Sequence, residues 1–200
     1  LKTIGISDCR NSLFERLYRI SGNNVKSVLR KQGRMHPAIA EFPNNAFYYN
    51  EQLESVPLEH QLEDFPYSHS SIDNEENNNI NKLLRNRRMI FIPCDTPEQN
   101  SSYSEKANIN EAKIVACLLK SIYNLTADCF NADKTVGVIV PYRNQIAMIR
   151  KEISSLNIPE LQNISIDTVE RYQGSQRDVI IYSFTVRNFS QLNFLTSNTF

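Results

Sequence analysis

Apolar residues recur at helical spacing over 109–123, "INEAKIVACLLKSIY", where Ile114, Ala116, Cys117, Leu118 and Ile122 predict a long buried-face helix. Residues 135–141, "TVGVIVP", are a continuous apolar run, as expected of a strand buried on both faces. An amphipathic helix follows at 144–156, "NQIAMIRKEISSL", then strands at 164–169 and 178–186, and a further compact strand precedes the series at 88–94, "RMIFIPC". Strands alternating with helices at this spacing predict an α/β fold, a mostly parallel sheet flanked by helices.

The first third is patterned differently. Leu13, Leu17 and Ile20 give a short helix over 11–20, with Ser12 placed to cap it. Residues 25–30, "VKSVLR", alternate like a strand. Residues 37–49 read as a helix with Pro37 in its first turn, where the missing N–H costs nothing. His36 is expected to cap or pack, and Phe42 and Phe47 to lie in the core. Residues 54–81, with "SHSS" and "DNEENNN", read as an acidic, Asn-rich irregular insert.

Composition narrows the class. The chain has 200 residues, 40% apolar, enough for one sizeable domain. No apolar run approaches the roughly 20 residues that span a bilayer, and no signal pattern opens the chain. A protein of the cytoplasm, with no membrane partner, is the expectation. The four cysteines are far apart with no C-x-x-C pair, which favours buried reduced thiols over a disulfide framework or zinc site. The three histidines make no metal spacing. Net charge is zero but segregated: residues 1–38 carry net +6, residues 39–78 net −9 and the remainder net +3.

In parallel sheets ligands gather at the carboxyl ends of strands. That rule selects two loops, "PYRNQ" (141–145) and "TVERYQGSQRD" (168–178). Both combine basic, amide and aromatic side chains, which suit phosphate and base contacts. None of the five glycines is followed by lysine, so there is no phosphate-cradling loop, and there is no Asp-Glu pair or G-x-G-x-x-G. By itself the chain lacks the parts for hydrolysing a nucleotide.

Three segments in order resemble one family. "LRKQGRMHPAIAEFPNNAFYYNEQL" (29–53) resembles the Q-Y-R-M-H-P segment of superfamily 1 helicases. "VGVIVPYRNQIAMIR" (136–150) resembles their motif IV, and "ISIDTVERYQGSQRDVIIYSFTVRN" (164–188) their motif V. "SLFERL" (12–17) is similar to the helix that commonly precedes the first of these. The branch is the 5′-to-3′ one, which includes helicases of nonsense-mediated decay, Okazaki-fragment processing and tRNA splicing.

The resemblance implies the second RecA-like domain of a P-loop NTPase over residues 1–200. ATP and Mg²⁺ would be bound mainly by an N-terminal RecA-like domain outside this sequence, and motif VI would lie beyond residue 200. Single-stranded nucleic acid is the implied partner. DNA is placed ahead of RNA, although neither motif reads a 2′-hydroxyl in an identifiable way. Arg34 matches the arginine that contacts the γ-phosphate, a fixed bidentate cation suited to charge on a transferring phosphoryl group. Gly33 stands where the family carries a ring that stacks on adenine. Gly174 and Gln176 match nucleotide-side positions, with Gln176 replacing a glutamate. Tyr142, Arg143, Gln145, Thr168 and Gln173 match or neighbour strand-contacting positions. Helix capping by Gln145 and its neighbours, and a strand-end or cap role for Thr168, stay open beside these roles. Arg187 closes motif V. The departures at Gly33 and Gln176 motivate a second reading, a degenerate module that binds nucleic acid or protein without ATPase activity.

Overall fold

The computed structural model describes residues 12–63, 67, 78–94 and 106–186. They fall in two compact units, one holding residues 12–63 and the other the described residues from 67 onward.

In the first unit, helix α1 (Leu13–Ile20) starts where the sequence predicts. The Ser12 hydroxyl accepts the Glu15 N–H at 3.1 Å, and Glu15 pairs with Arg19 one turn on. The alternating stretch 25–30 does not form a strand. A 3-10 turn at Asn23–Val25 is followed by extended chain, and only β1 (Lys31–Gln32) pairs, with β2 (Glu54–Ser55), in parallel. Helix α2 (Pro37–Ala46) begins at Pro37 as expected. It ends three residues early, after Pro43 has removed an internal donor. Asn44 then ties the chain back: its amide donates to Leu53 O at 3.1 Å and accepts from Leu53 N at 2.8 Å. Helix α3 (Glu59–Leu62) and β2 lie inside the stretch read as irregular. Residues 64–66 and 68–77 of that insert lie outside the described residues.

The second unit holds the core. Helix α4 (Asn78–Asn86) begins within the last residues of the predicted insert, and the predicted strand 88–94 takes no strand pairing. Helix α5 (Ile109–Leu125) is followed by β3 (Val136–Val140), α6 (Arg143–Ser155), β4 (Ser165–Thr168), α7 (Val169–Tyr172) and β5 (Val179–Tyr182). The strands form a parallel sheet of order β4-β3-β5, flanked by α5 and α6, which pack on each other. The α/β RecA-like class is therefore what the chain adopts. Val136, Val138 and Val140 are fully buried with Leu119, Ile122, Ile149 and Ile153. The β5 pairing stops at Tyr182, short of the predicted end at 186, because the chain beyond turns toward α5.

The connection from β4 to β5 positions the site. It must return from the carboxyl end of one parallel strand to the amino end of another, passing over β3, in residues 169–178. That length excludes a long crossover helix, so the chain hugs the sheet. Gly137 makes this possible: a Cβ there would stand 1.6 Å from the Tyr172 hydroxyl.

Candidate functional site

The first candidate element is the turn between β1 and α2. Gln32 folds its side chain over this turn. Its Oε1 accepts from Arg34 N at 3.0 Å and Met35 N at 2.7 Å, and its Nε2 donates to Met35 O at 2.8 Å and Ser55 Oγ at 3.1 Å. His36 caps α2, its Nδ1 accepting the Ala38 N–H at 3.1 Å. That leaves Nε2 protonated, and it donates to Glu63 O at 2.9 Å. Gly33 and Arg34 are exposed, and among the described residues no ion pair engages the Arg34 guanidinium. So the Arg34 backbone is held while its charge faces solvent.

The aromatics behind this turn depart from expectation. Phe42 is 57% and Phe47 70% exposed, meeting only edge to face at 6.3 Å, and Tyr48 and Tyr49 are exposed as well. Helix α2 buries Ala40 alone, so its rings have no core to enter. The thiols also differ: Cys129 is exposed, Cys94 and Cys117 are half-buried, and Cys9 lies outside the described residues.

The second element is the carboxyl edge of the β4-β3-β5 sheet. Val140 pairs in register with Thr168, so the chain leaving β3 through Tyr142 and Arg143 starts beside Thr168. Tyr142 is half-buried, with the Lys106 ammonium 5.9 Å from its ring centroid, and Arg143 is exposed at the start of α6. Thr168 holds the N-cap position of α7 without a side-chain bond to the helix backbone, its own N–H donating to Asp167 Oδ1 at 2.9 Å. Glu170 joins them. A hydrogen bond from its own backbone, then one from Thr168, then the charge of Arg143 hold its carboxyl below the usual carboxylate range. Tyr182 stands at the same edge; burial, then the neighbouring Glu170 and Tyr142, push its hydroxyl up. Its ring meets Phe184 edge to face at 4.7 Å.

Two sequence expectations change here. Gln145 is fully buried rather than available to a strand. Its Oε1 accepts from Asn108 N at 2.7 Å, and its Nε2 donates to Asn108 O at 3.0 Å and Ser183 Oγ at 3.2 Å. It therefore locks the start of α5 to the end of β5. Glu111 extends the lock, accepting from Ser183 Oγ at 2.6 Å and Thr185 N at 2.9 Å. Thr185 is fully buried at φ 60°, a left-handed backbone that this network holds in place.

The loop 168–178 also does not stay at the carboxyl edge. It starts there at Thr168, but by Asp178, whose N–H donates to Lys134 O at 2.9 Å, it has reached the amino end of the sheet. Gln173, Gly174 and Gln176 are exposed on this descending path and are not gathered with Tyr142, Arg143 and Thr168. Gly174 takes φ 85°, which glycine adopts without a Cβ penalty, and open space surrounds it. Arg177 anchors the loop, donating to Ser165 Oγ at 2.8 Å and to Gln176 O at 2.7 Å, with its guanidinium 5.6 Å from the Tyr172 ring centroid. Arg187 lies outside the described residues.

Sequence reasoning missed Glu170, Tyr182, Phe184, Glu111, His60 and Gln61. For Glu111 a signal existed: Asn108 followed three residues later by an acid is a helix-start pattern, and the Asn108 carbonyl oxygen of the side chain does accept from Asn110 and Glu111.

With this geometry in view, the relatives are informative. A family model described as AAA domain matches residues 9–198. The chain is 28% identical over 179 residues, 88% of its length, to DNA polymerase alpha-associated DNA helicase A of Schizosaccharomyces pombe. It is 31% identical over 191 residues, 90% of its length, to a Regulator of nonsense transcripts 1 homolog of Arabidopsis thaliana. It is 26% identical over 182 residues, 86% of its length, to Helicase SEN1 of Saccharomyces cerevisiae. The chain spans 26%, 13% and 7% of those three proteins respectively. The chain belongs to this AAA-domain family and, with these relatives, to the superfamily 1 helicases. Among the described residues no helix is long and apolar enough to cross a membrane.

Proposed function

We propose that residues 1–200 are the second RecA-like motor domain of an ATP-dependent helicase that translocates on and unwinds nucleic acid. The observation that carries this reading is the turn at Gly33-Arg34, a backbone fixed by side-chain hydrogen bonds with a cation directed to solvent. A pre-positioned guanidinium of this kind stabilises charge on a transferring phosphoryl group arriving on another surface. An N-terminal RecA-like domain of the same protein would bring ATP and hold Mg²⁺. Among the described residues no group of three or more His, Cys, Asp or Glu is placed for a metal. Gly174 and Gln176 would meet the nucleotide from the motif V loop.

The strand would cross the carboxyl edge at Tyr142, Arg143 and Thr168, held through phosphates and stacked bases. Two relatives are named as DNA-acting and transcript-regulating proteins, and both substrates stay in the test.

The test is ATP turnover by the longer protein with single-stranded DNA and with single-stranded RNA as activators. Arg34→Ala should lower turnover by about 10³-fold, the scale of such arginines, with strand binding retained. Unchanged turnover would remove Arg34 from the mechanism. Turnover by this chain alone would overturn the division of labour between the two domains.

A further inference from the structure

We infer that helix α3 is a positioning clamp for Arg34, with Gln61 its central side chain; this rests on the reading of Arg34 as the phosphate-contacting cation. The turn presents three backbone carbonyls, on Gln32, Gly33 and Met35; Gln32 O also accepts from Val56 N at 3.0 Å and Met35 O from Gln32 Nε2 at 2.8 Å. Side chains of α3 take all three. Gln61 Nε2 donates to Gln32 O at 3.1 Å and to Met35 O at 2.8 Å. His60 Nε2 stands 3.1 Å from Gly33 O, and since a carbonyl only accepts, the imidazole donates. In the other direction, His36 donates to Glu63 O just past the end of α3. Leu58 closes the contact, its Cδ1 3.2 Å from where a Cβ on Gly33 would stand.

Gln61 is 3% exposed, and among the described residues of its unit the other buried residue is Ala40. A buried amide is tolerated only when its hydrogens are taken, and both Gln61 hydrogens go to this turn. A four-residue helix has no stability of its own. It persists because it holds the turn, and the turn is fixed jointly by the Gln32 side chain and by α3. The start of the acidic insert thus determines where the Arg34 Cα sits, so the guanidinium meets a phosphate without first being ordered.

The experiment compares Gln61→Met, which keeps length and loses both donors, with Gln61→Glu and His60→Ala. In the chain alone, Gln61→Met should raise amide exchange at Arg34 and Met35 about tenfold or more, with the unfolding midpoint of the second unit unchanged. In the longer protein it should lower kcat for ATP by about ten- to hundredfold, the cost of a misplaced reacting group, with KM for ATP within about twofold. In Gln61→Glu the carboxylate would face two carbonyls, so turnover should recover as pH falls and the group protonates, a profile the native chain lacks. His60 is exposed, so His60→Ala keeps the fold and should give a smaller loss of kcat in the same direction.

Unchanged exchange and unchanged kcat in Gln61→Met overturn the clamp; should that variant not fold, unchanged values in His60→Ala do so. Raised exchange together with undiminished turnover in both Gln61→Met and Arg34→Ala would overturn the phosphate role of Arg34 and leave the clamp standing.

Discussion

The two units hold their shapes by different means. The second buries an apolar sheet between strands and helices: Val136, Val138, Val140, Leu119, Ile149 and Ile153 are all fully buried. The first, over its described residues, buries only Ala40 and Gln61, and its geometry rests on amide and imidazole side chains bonded to backbone. Burial is non-directional and scales with area, so it stabilises a fold without fixing one atom against another. Hydrogen bonds contribute little net stability each but fix distance and angle. The second unit is therefore suited to be a scaffold, and the first to hold a single turn.

The sharpest way to break this contrast is a cavity in the scaffold. Leu119→Ala on α5, at a fully buried site, should cost about 2–5 kcal/mol. Thermal denaturation should register it as a lowered midpoint of the second unit, with amide exchange in the Arg34 turn unchanged. Loss of turn protection in the same variant would mean that the two units do not stabilise independently.

A smaller effect tests the polar exception inside the scaffold. Gln145→Leu keeps shape but leaves the Asn108 N–H without its acceptor in a buried setting, while Asn108 O keeps the Ala112 N–H at 3.1 Å. Orphaning such groups costs about 1–3 kcal/mol. Denaturant titration should show the loss, and protection of the Thr185 amide should fall as its neighbours Ser183 and Glu111 lose their anchor. A neutral result would mean that water replaces Gln145 and that the buried lock carries no strain.

The sequence was legible to the extent that hydrophobic period decided structure. The apolar run 135–141 and the helical spacings at 109–123 and 144–156 became β3, α5 and α6 within a few residues. Ser12 and Pro37 marked helix starts because capping is local chemistry. The stretch 25–30 misled because alternation describes a face, and among the described residues strand β2 reaches back only to Arg30, whose carbonyl accepts the Glu54 N–H at 2.7 Å. The polar insert misled in the opposite way, since Gln61 and His60 carry no periodicity and act only through carbonyls 25 or more residues earlier. At the site, Arg34 and Thr168 are nominated by motif, and strand register brings Tyr142, Arg143 and Thr168 to one edge. Gln145 was misassigned because an amide next to a basic loop reads the same whether it faces a ligand or the core. The path of 168–178 was missed because a crossover's return depends on strand order, here with β3 in the middle.

The weakest expected effect is the one that sharpens the contrast most. Phe42 and Phe47 are the residues a core reading would make indispensable, and Phe→Ala in a core costs about 3–5 kcal/mol. With Phe42 57% exposed and touching Phe47 edge to face, its truncation removes one ring pair and little buried area. The expected loss for Phe42→Ala is about 0.5–1.5 kcal/mol, the range of an aromatic pair. Exchange at Arg34 and Met35 should stay as it was, because none of the hydrogen bonds that hold the turn involves Phe42. A core-sized loss, read as a drop of several kcal/mol in the denaturant titration of the chain, would show that the first unit depends on apolar burial after all. The division between a scaffold held by area and a turn held by hydrogen bonds would then fail at its simplest point.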